Sequence, residues 1–330
     1  MTTGRVEDRR GDAGMISVVV PVYNEEDNVG PLLDGVRDAL EGLGRPYELI
    51  VVDDGSTDGT AARLRDAVTR LPALRVVRLR SNFGQSAALA AGFDLARGEL
   101  VVTMDGDRQN DPADIPRLLD KLKEGYDVVS GWRRERQDPF WSRRLPSRVA
   151  NGLISWITGV HLHDYGCGLK VYRREILRDI ALYGEMHRFL PALARWVGAT
   201  IGELPVGHWP RRSGVSKYGL GRTVRVLLDL LTVKFLMSYG TRPIQIFGLL
   251  GLCLGSAGAL LGAYLTYQRM FQNIGLANRP ILLLAVLLVL VGFQFISIGL
   301  LGEMLVRTYH ESQRKPVYII REIISREATS

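Results

Sequence analysis

Short apolar runs rich in β-branched residues alternate with helical patterns from residue 15 to about residue 122. The runs cover residues 16–21, 49–53, 74–79 and 100–104. Between the first two runs, apolar residues recur at the spacing of one helix face, and they are Val29, Leu32, Leu33, Val36, Leu40 and Leu43. Alternating strands and helices predict an α/β domain with a mostly parallel sheet and helices on both of its faces.

Two uncharged stretches, residues 243–268 and 280–302, are each longer than the roughly 20 residues that a helix needs to cross a membrane. They predict two C-terminal transmembrane helices, with a buried helical hairpin of a soluble protein as the alternative. Glycines lie four residues apart in two pairs, Gly251 with Gly255 and Gly258 with Gly262. This spacing lets two helices or two protomers approach closely, so a homo-oligomer assembled through the hairpin is a further prediction.

Basic residues flank the two stretches on one side. Those before the first stretch are Arg222, Arg225, Lys234 and Arg242, those after the second are Arg307, Arg314, Lys315, Arg321 and Arg326, and the connection carries Arg269 and Arg279. By the positive-inside rule, the α/β domain and the C-terminus are cytoplasmic, at the inner or plasma membrane. Residues 220–239 are apolar with charges at helical spacing, which predicts an interfacial amphipathic helix or a helix packed on the α/β domain.

These patterns divide the chain into five segments. They are a disordered tail (1–14), the α/β domain (15–215), a juxtamembrane amphipathic segment (216–242), the transmembrane hairpin (243–302) and a cytoplasmic tail (303–330). The formal net charge of +7 suits nucleic acid, anionic lipid or phosphorylated small molecules, so charge does not choose among them. With 2 cysteines, the chain fits a reducing compartment rather than a disulfide framework.

Acidic side chains follow three of the four apolar runs. After the first two runs they are Glu25, Glu26, Asp53 and Asp54. In open α/β sheets ligands bind beyond the carboxyl ends of the strands, so we expect these side chains at a ligand site. An acidic pair followed by glycine can accept hydrogen bonds from a base and a ribose. The alternative is an ordinary turn in which Asp58 or a neighbouring hydroxyl residue caps the next helix.

The fourth run leads into Asp105-Gly106-Asp107. Two carboxylates around a glycine at a strand end can bind a hard divalent cation, which then bridges the two phosphates of a nucleotide diphosphate. The cation would neutralise the charge that builds up on a departing diphosphate. The alternative is a solvated acidic turn, and the position after a fourth parallel strand favours the metal site.

The segments around Pro21, Asp53 and Asp105 resemble the motifs of glycosyltransferase family 2, in their usual order. The quoted stretches are Pro21-Val22-Tyr23-Asn24-Glu25-Glu26, Val52-Asp53-Asp54-Gly55-Ser56-Thr57-Asp58 and Asp105-Gly106-Asp107-Arg108-Gln109. With the two apolar stretches, the chain is similar to the branch of the family that acts on polyprenyl phosphates. The resemblance implies a GT-A fold and inverting transfer of a single sugar from a UDP- or GDP-linked donor to a polyprenyl phosphate.

The resemblance also implies roles for individual residues. Nucleotide-sugar contacts would come from Pro21, Tyr23, Glu25, Asp53, Asp54, Asp105 and Gly106, and ligands for Mg²⁺ or Mn²⁺ from Asp105, Asp107 and Gln109. Arg108 departs from the family pattern, where an apolar residue is common. It leaves the metal ligands in place but can alter the surroundings of the phosphates.

A polyprenyl phosphate needs cationic side chains near the membrane, and arginine matches phosphate oxygens with two parallel hydrogen bonds. Candidates from charge are Arg133, Arg134, Arg143, Arg144, Arg148, Arg211, Arg212 and Lys217. The resemblance places Arg133, after the Ser130-Gly131 turn, and the Ser216-Lys217-Tyr218 loop at the acceptor. It also marks Asp164 as an essential carboxylate, which we expect to orient donor or acceptor rather than remove a proton.

Three other interpretations compete with this one. His161, His163 and Asp164 could suggest a transition-metal cluster, but their spacing is poor. A processive polysaccharide synthase would carry a Gln-x-x-Arg-Trp motif, whereas here Ala192 precedes Arg195-Trp196. A non-catalytic membrane scaffold would not need carboxylates at both strand ends. We therefore expect a nucleotide-sugar, a polyprenyl phosphate and membrane lipid as partners, and no nucleic acid.

Overall fold

The computed structural model describes residues 12–134, 151–152, 154–155, 158–180, 182, 186–209, 244–272, 275, 279–312 and 317–326. The chain forms two compact units. One consists of Met1–Leu231 with Pro316–Ser330, and the other of Thr232–Lys315. The first unit contains an eight-stranded sheet with its helices, and the second contains two long helices.

The first half of the sheet unit alternates strands and helices. In chain order these are β1 (Asp12–Val22), α1 (Glu26–Glu41), β2 (Tyr47–Asp53), α2 (Thr60–Arg70), β3 (Leu74–Leu79), α3 (Gln85–Leu95), β4 (Gly98–Thr103), α4 (Ile115–Leu122) and β5 (Val128–Trp132). The four apolar runs of the sequence thus form β1 to β4. β1 lies between β2 and β4, β3 lies beyond β2, and all three of these pairs are parallel.

The remaining elements include β6 (Lys170–Arg173), α5 (Arg174–Arg178), α6 (Leu190–Trp196), β7 (Ile201–Pro205) and β8 (Ile320–Ser325). The strand order is β7-β5-β6-β4-β1-β2-β3-β8. β6 runs antiparallel between β4 and β5, and β8 runs antiparallel to β3. The predicted mostly parallel sheet is confirmed, with antiparallel strands added in its second half and at one edge.

Helices cover both faces of the sheet, as predicted. Val18 and Val20 of β1 lie in the apolar core with Val29 and Leu33 of α1. The intervening Val19 points to the opposite face, where it meets α3 so closely that a Cβ at Gly92 would collide with it. Alternate residues of a strand point to opposite faces, so burial on both faces explains why this run is continuously apolar.

The segment predicted as a C-terminal tail contains structured elements. The second long helix continues to Ser312, and β8 then pairs with the edge of β3. The exposure of β8 alternates along the strand, with Arg321 and Ile323 exposed and their neighbours half-buried. A half-buried strand of 6 residues with charges in it has too weak a pattern to be recognised from sequence.

The second unit consists of α7 (Ile244–Phe271) and α8 (Pro280–Ser312). Its apolar stretches, Phe247–Phe271 and Pro280–Gly302, have mean hydropathies of 1.7 and 2.9 over their most apolar windows. Only 17% of the first window and 11% of the second is buried. Core helices of soluble proteins are mostly buried, so this exposure favours membrane helices over the soluble alternative. The predicted juxtamembrane segment, residues 216–242, lies outside the described residues.

Candidate active site

The carboxyl ends of β1, β2 and β4 meet at one edge of the sheet, and the segments after β1 and β2 are joined by hydrogen bonds. The Asn24 N–H donates to Ser56 Oγ (2.9 Å), and the Thr57 N–H donates to Asn24 Oδ1 (2.9 Å). The Glu25 N–H donates to Thr60 Oγ1 (2.9 Å). These bonds hold Asn24 in a left-handed conformation, at φ +54°. These bonds also hold Tyr23 and Glu25, which are partly exposed, at this edge of the sheet. Pro21 is buried.

Asp53 and Asp54 are buried carboxylates that hold the neighbouring loops. Asp53 accepts a hydrogen bond from the Ser56 N–H (2.8 Å), and Arg78 Nε lies 3.3 Å from its other oxygen. Asp54 accepts hydrogen bonds from the Phe83 and Gly84 N–H groups (2.7 and 2.9 Å). Burial raises the pKa of Asp54, and the two amide hydrogen bonds counteract this in part. Both side chains hold the loops beside the site, and their predicted contact with the nucleotide-sugar stays a prediction.

The turn alternative is also realised after β2. Asp58 accepts a hydrogen bond from the Thr60 N–H (3.0 Å) at the start of α2, and this bond contributes to lowering its pKa. The segment therefore forms a turn just before α2, whose N-cap is Gly59 without a side-chain cap, and it also supports the site edge.

Asp105 and Asp107 lie directly after β4, close to the end of β1. A Cβ at Gly106 would lie 2.7 Å from Val22 Cγ1 and 3.0 Å from the Pro21 carbonyl oxygen, so only glycine allows this approach. Asp105 Oδ1 accepts a hydrogen bond from Gln85 Nε2 (2.8 Å). Burial and the nearby Asp107 charge raise the pKa of Asp105, and a cation between the carboxylates would relieve that repulsion.

The chemistry of these donors fits a hard divalent cation. Asp105, Asp107 and the partly exposed Gln109 supply carboxylate and amide oxygens, which Mg²⁺ and Mn²⁺ prefer. Across the described part of the chain, no group of three or more histidine, cysteine or acidic side chains is preformed for a metal. A site of two carboxylates would therefore be completed by phosphate oxygens, as is usual for Mg²⁺ bound with a nucleotide.

Arg133 and Asp164 form a buried ion pair with two parallel hydrogen bonds. Arg133 Nε donates to Asp164 Oδ2 (2.7 Å) and Nη2 donates to Oδ1 (3.0 Å). The Gly166 N–H also donates to Oδ1 (3.1 Å). Burial disfavours the arginine charge, but the Asp164 partner outweighs it and the pKa of Arg133 is raised. Arg133 was predicted to bind the acceptor phosphate, and in the structure two of its nitrogens are engaged by Asp164.

Glu203 of β7 supports this pair, and the sequence analysis did not identify it. It accepts hydrogen bonds from the His163 and Asp164 N–H groups (2.9 and 3.2 Å) and lies 2.7 Å from His163 Nδ1. The His163 ring stacks on Trp132 at 4.2 Å between centroids. His163 thus belongs to the wall of the site.

Other predicted site residues have different outcomes. Ser130 is fully buried within β5, which favours a packing role over contact with a phosphate. Arg143, Arg144, Arg148, Arg211, Arg212 and Lys217 lie outside the described residues. Gln85, which holds Asp105, was missed. The available signal was its position soon after the third apolar run, because the ends of parallel strands share one edge.

Comparison with known proteins agrees with this geometry. The model of glycosyl transferase family 2 matches residues 17–181. A dodecaprenyl-phosphate galacturonate synthase from Rhizobium johnstonii is 49% identical over 312 residues, covering 93% of this chain and 92% of that protein. An undecaprenyl-phosphate 4-deoxy-4-formamido-L-arabinose transferase from Edwardsiella ictaluri is 41% identical over 312 residues, covering 94% of each.

Solved structures show the same fold. Glucosyl-3-phosphoglycerate synthase from Mycobacterium tuberculosis, crystallised with Mn²⁺ and UDP-glucose, matches with a TM-score of 0.53 at 24% identity, covering 67% of this chain and 79% of that one. At this identity the match shows the GT-A fold alone. Together with the extent of the similarity to the two bacterial enzymes, it leads to one assignment: the chain is a glycosyltransferase that belongs to glycosyltransferase family 2.

Proposed function

We propose that this enzyme transfers one sugar from a nucleotide-sugar to a polyprenyl phosphate, with inversion at the anomeric carbon. The observation that carries the proposal is the Asp105-Gly106-Asp107 turn, which packs against the end of β1 at the edge where the loops after β1 and β2 meet. The two similar bacterial enzymes are named for transfer to dodecaprenyl and undecaprenyl phosphate, which supports this acceptor class.

The donor nucleotide would occupy the edge formed by Tyr23, Glu25 and the turn after β4. A bound Mg²⁺ or Mn²⁺ would supply Lewis-acid stabilisation of the diphosphate leaving group. Asp105 and Asp107, with Gln109, would hold that ion, and Gln85 keeps the Asp105 carboxylate in one orientation. The buried Asp53 and Asp54 keep the surrounding loops in place at the same edge.

The acceptor needs little activation by the protein. A phosphate monoester with a second pKa near 6 is largely dianionic at neutral pH, so its oxygen can attack without a general base. That oxygen forms a bond to the anomeric carbon while the bond from this carbon to the nucleotide diphosphate breaks, and the electron pair leaves with the diphosphate. Asp164 receives hydrogen bonds from Arg133 and Gly166, which supports an orienting role.

The location follows from the second unit. The two exposed apolar helices and the similarity to enzymes named for polyprenyl phosphates support a membrane protein. We place the GT-A domain and the C-terminus on the cytoplasmic side, at the inner or plasma membrane, because the basic residues flank the hairpin there.

The test uses the purified full chain in detergent with undecaprenyl phosphate and Mn²⁺ or Mg²⁺. The donor panel contains nucleotide-linked glucose, mannose, galacturonate and 4-deoxy-4-formamido-L-arabinose. We expect one donor to give a singly glycosylated lipid and an equal amount of nucleotide diphosphate, and chelation to stop the reaction. Asp107→Asn should lower kcat by about a hundredfold or more, since it removes a ligand charge that stabilises the leaving group.

Asp66→Asn, the same chemical change at an exposed position on α2, is the matched control and should leave kcat unchanged. Full activity of Asp107→Asn, or full activity with all divalent ions chelated, would contradict the proposal. A polymeric product would indicate a processive synthase, and binding without turnover for every donor would indicate a scaffold.

A further inference from the structure

Lys170 is a buried cation between the two strands that carry the predicted catalytic residues. It begins β6, and its side chain is almost completely buried. In the sheet it pairs with Thr103 of β4 on one side and with Ser130 of β5 on the other. Asp105 follows Thr103 by two residues and Arg133 follows Ser130 by three. Lys170 therefore lies between the strand ends that lead into Asp105 and Arg133.

The Lys170 ammonium group holds the turn that precedes β6. Its Nζ donates hydrogen bonds to the carbonyl oxygens of Tyr165 (3.4 Å) and Cys167. The same turn is held from β4, because Thr103 Oγ1 donates to the Gly168 carbonyl oxygen (2.9 Å). A buried lysine costs free energy unless its charge and its N–H donors are satisfied. The contacts of the turn that Lys170 holds give a reason for a lysine at this position.

The turn contacts both halves of the candidate site. At Gly168 the backbone lies so close to Asp105 that a Cβ would collide with the carboxylate. At Gly166 a Cβ would lie 3.1 Å from Arg133 Nη2, and the Gly166 N–H binds Asp164. A shift of this turn would therefore change the position of Asp105 relative to the Arg133–Asp164 pair.

Charges of both signs act on Lys170. Burial and the Arg133 charge lower the pKa of Lys170, while Cys167, Asp105 and Asp164 act in the opposite direction. Lys170 in turn counteracts the rise in the pKa of Asp105 that burial and Asp107 cause.

We propose that Lys170 is a positioning residue for sugar transfer: by holding the turn of residues 165–168, it sets the separation between Asp105 and the Arg133–Asp164 pair. Lys170 does not touch either substrate. The inference rests on the proposed transfer reaction, because it assigns Lys170 a part in that reaction's geometry.

The test compares Lys170→Met and Lys170→Gln with the wild-type chain. Methionine keeps the length and removes the charge and all donors, whereas glutamine keeps N–H donors. Glu48→Gln is the matched control, because Glu48 is an equally buried charge at the opposite end of the same sheet, where it binds Ser17 and Arg97. Each variant is measured for kcat, for both KM values, for Mn²⁺-dependent binding of the nucleotide diphosphate by calorimetry, and for its thermal midpoint.

We expect Lys170→Met to lower kcat by about 10- to 100-fold, because misplacement of catalytic groups by about 1 Å has effects of this size. Donor KM and nucleotide diphosphate affinity should change less than kcat, since only Asp105 among the proposed donor contacts depends on this turn, while Tyr23 and Glu25 lie on another loop. Lys170→Gln should retain more kcat than Lys170→Met. Glu48→Gln should lower the thermal midpoint and leave kcat unchanged.

The proposal is overturned if Lys170→Met keeps wild-type kcat, or if its kcat falls only in proportion to its thermal midpoint, as a purely structural residue would behave. If Lys170→Met does not fold, Lys170→Gln is judged by the same two criteria. A failure of the proposed function is seen separately, because the wild-type chain itself would then transfer no sugar.

Discussion

His187 is a buried titratable residue next to the candidate site. It lies in the 3-10 turn Met186–Phe189. Its ring Nδ1 lies 3.0 Å from Ser86 Oγ, and its backbone N–H donates a hydrogen bond to the same oxygen (3.1 Å). Ser86 follows Gln85, whose amide holds Asp105. Burial, with smaller effects of Arg188 and Lys170, lowers the pKa of His187 to about 3. The imidazole therefore stays neutral in the folded protein and links this turn to the start of α3.

This shift predicts a loss of stability in mild acid. The unfolded chain binds a proton at His187 below about pH 6.5 while the folded chain does not, so stability is full above this pH and falls as pH decreases toward 3. Between pH 6.5 and 5 the expected loss is about 1–2 kcal/mol of unfolding free energy. Thermal midpoints at pH 7, 6 and 5 measure it. His187→Asn, which keeps a partner for Ser86, should show a smaller decrease, and an identical pH dependence would contradict the assignment.

At the scale of elements, α7 and α8 pack through glycines. A Cβ at Gly258 would lie 2.8 Å from the Ala285 carbonyl oxygen and from the Val289 nitrogen, whereas Gly262 has nothing within 4 Å of such a Cβ. The glycine pairs were predicted to bring together either two helices or two protomers. At Gly251 and Gly258 the contact is between the two helices of the hairpin. Small residues at such contacts let helix backbones approach closely within a bilayer.

Gly258→Leu should separate the two helices, because a large side chain cannot fit between the backbones. We expect a lower thermal midpoint and faster proteolysis of the detergent-solubilised protein. Gly262→Leu adds the same side chain at an open position and should behave like wild type. Equal effects of both substitutions would show that bulk in the helix, and not the contact with α8, is responsible.

The strand β8 closes the edge of the sheet beside β3. Glu322 of β8 accepts a hydrogen bond from Arg65 (2.6 Å) and one from Arg78 (3.4 Å), and Tyr318 donates to Asp94 (2.6 Å). Arg78 also faces Asp53, so the last strand is linked to the loop-holding carboxylates of the site. An element that follows the membrane helices thus completes the sheet that precedes them.

Deletion of residues 317–330 should destabilise the GT-A domain and cause aggregation, since the edge of β3 would lose its partner. Size-exclusion chromatography and the thermal midpoint measure both effects. Deletion of residues 327–330 alone, which keeps β8, is the control and should leave both unchanged. A monodisperse long deletion with a wild-type midpoint would show that β8 does not stabilise the sheet.

At the scale of the whole molecule, β8 constrains the topology. The sheet contains strands from before the hairpin and one from after it, so the proposed membrane crossing requires both ends of the hairpin on one side. An even number of crossings satisfies this requirement. The basic flanks support our proposal that this side is the cytoplasm.

Single cysteines test this topology with a membrane-impermeant maleimide on right-side-out vesicles, in a background that lacks Cys253. Gly275→Cys, in the connection between the helices, should react in sealed vesicles. Lys123→Cys and Arg321→Cys, both at exposed positions of the sheet unit, should react only after permeabilisation. Labelling of Arg321→Cys without Lys123→Cys in sealed vesicles would contradict the pairing of β8, and labelling of both would contradict the orientation.

Elements whose patterns are local could be predicted from the amino-acid sequence. The periodic runs predicted β1 to β4 and the buried face of α1, and uncharged length predicted α7 and α8. The Asp105-Gly106-Asp107 turn was found from its position after a strand, because the carboxyl ends of parallel strands share one edge. Each of these signals lies within a few neighbouring residues, where spacing alone reports which side chains face together.

Contacts between residues far apart in the chain depend on how the whole sheet is assembled. Arg133 and Asp164 are 31 positions apart, and nothing in either segment indicates that the arginine would engage this carboxylate. The burial of Asp53, the placement of Lys170 between β4 and β5, and the pairing of β8 with β3 likewise depend on strand order. Periodicity shows which face of an element is buried, but the identity of its partner is set by the packing of the whole sheet.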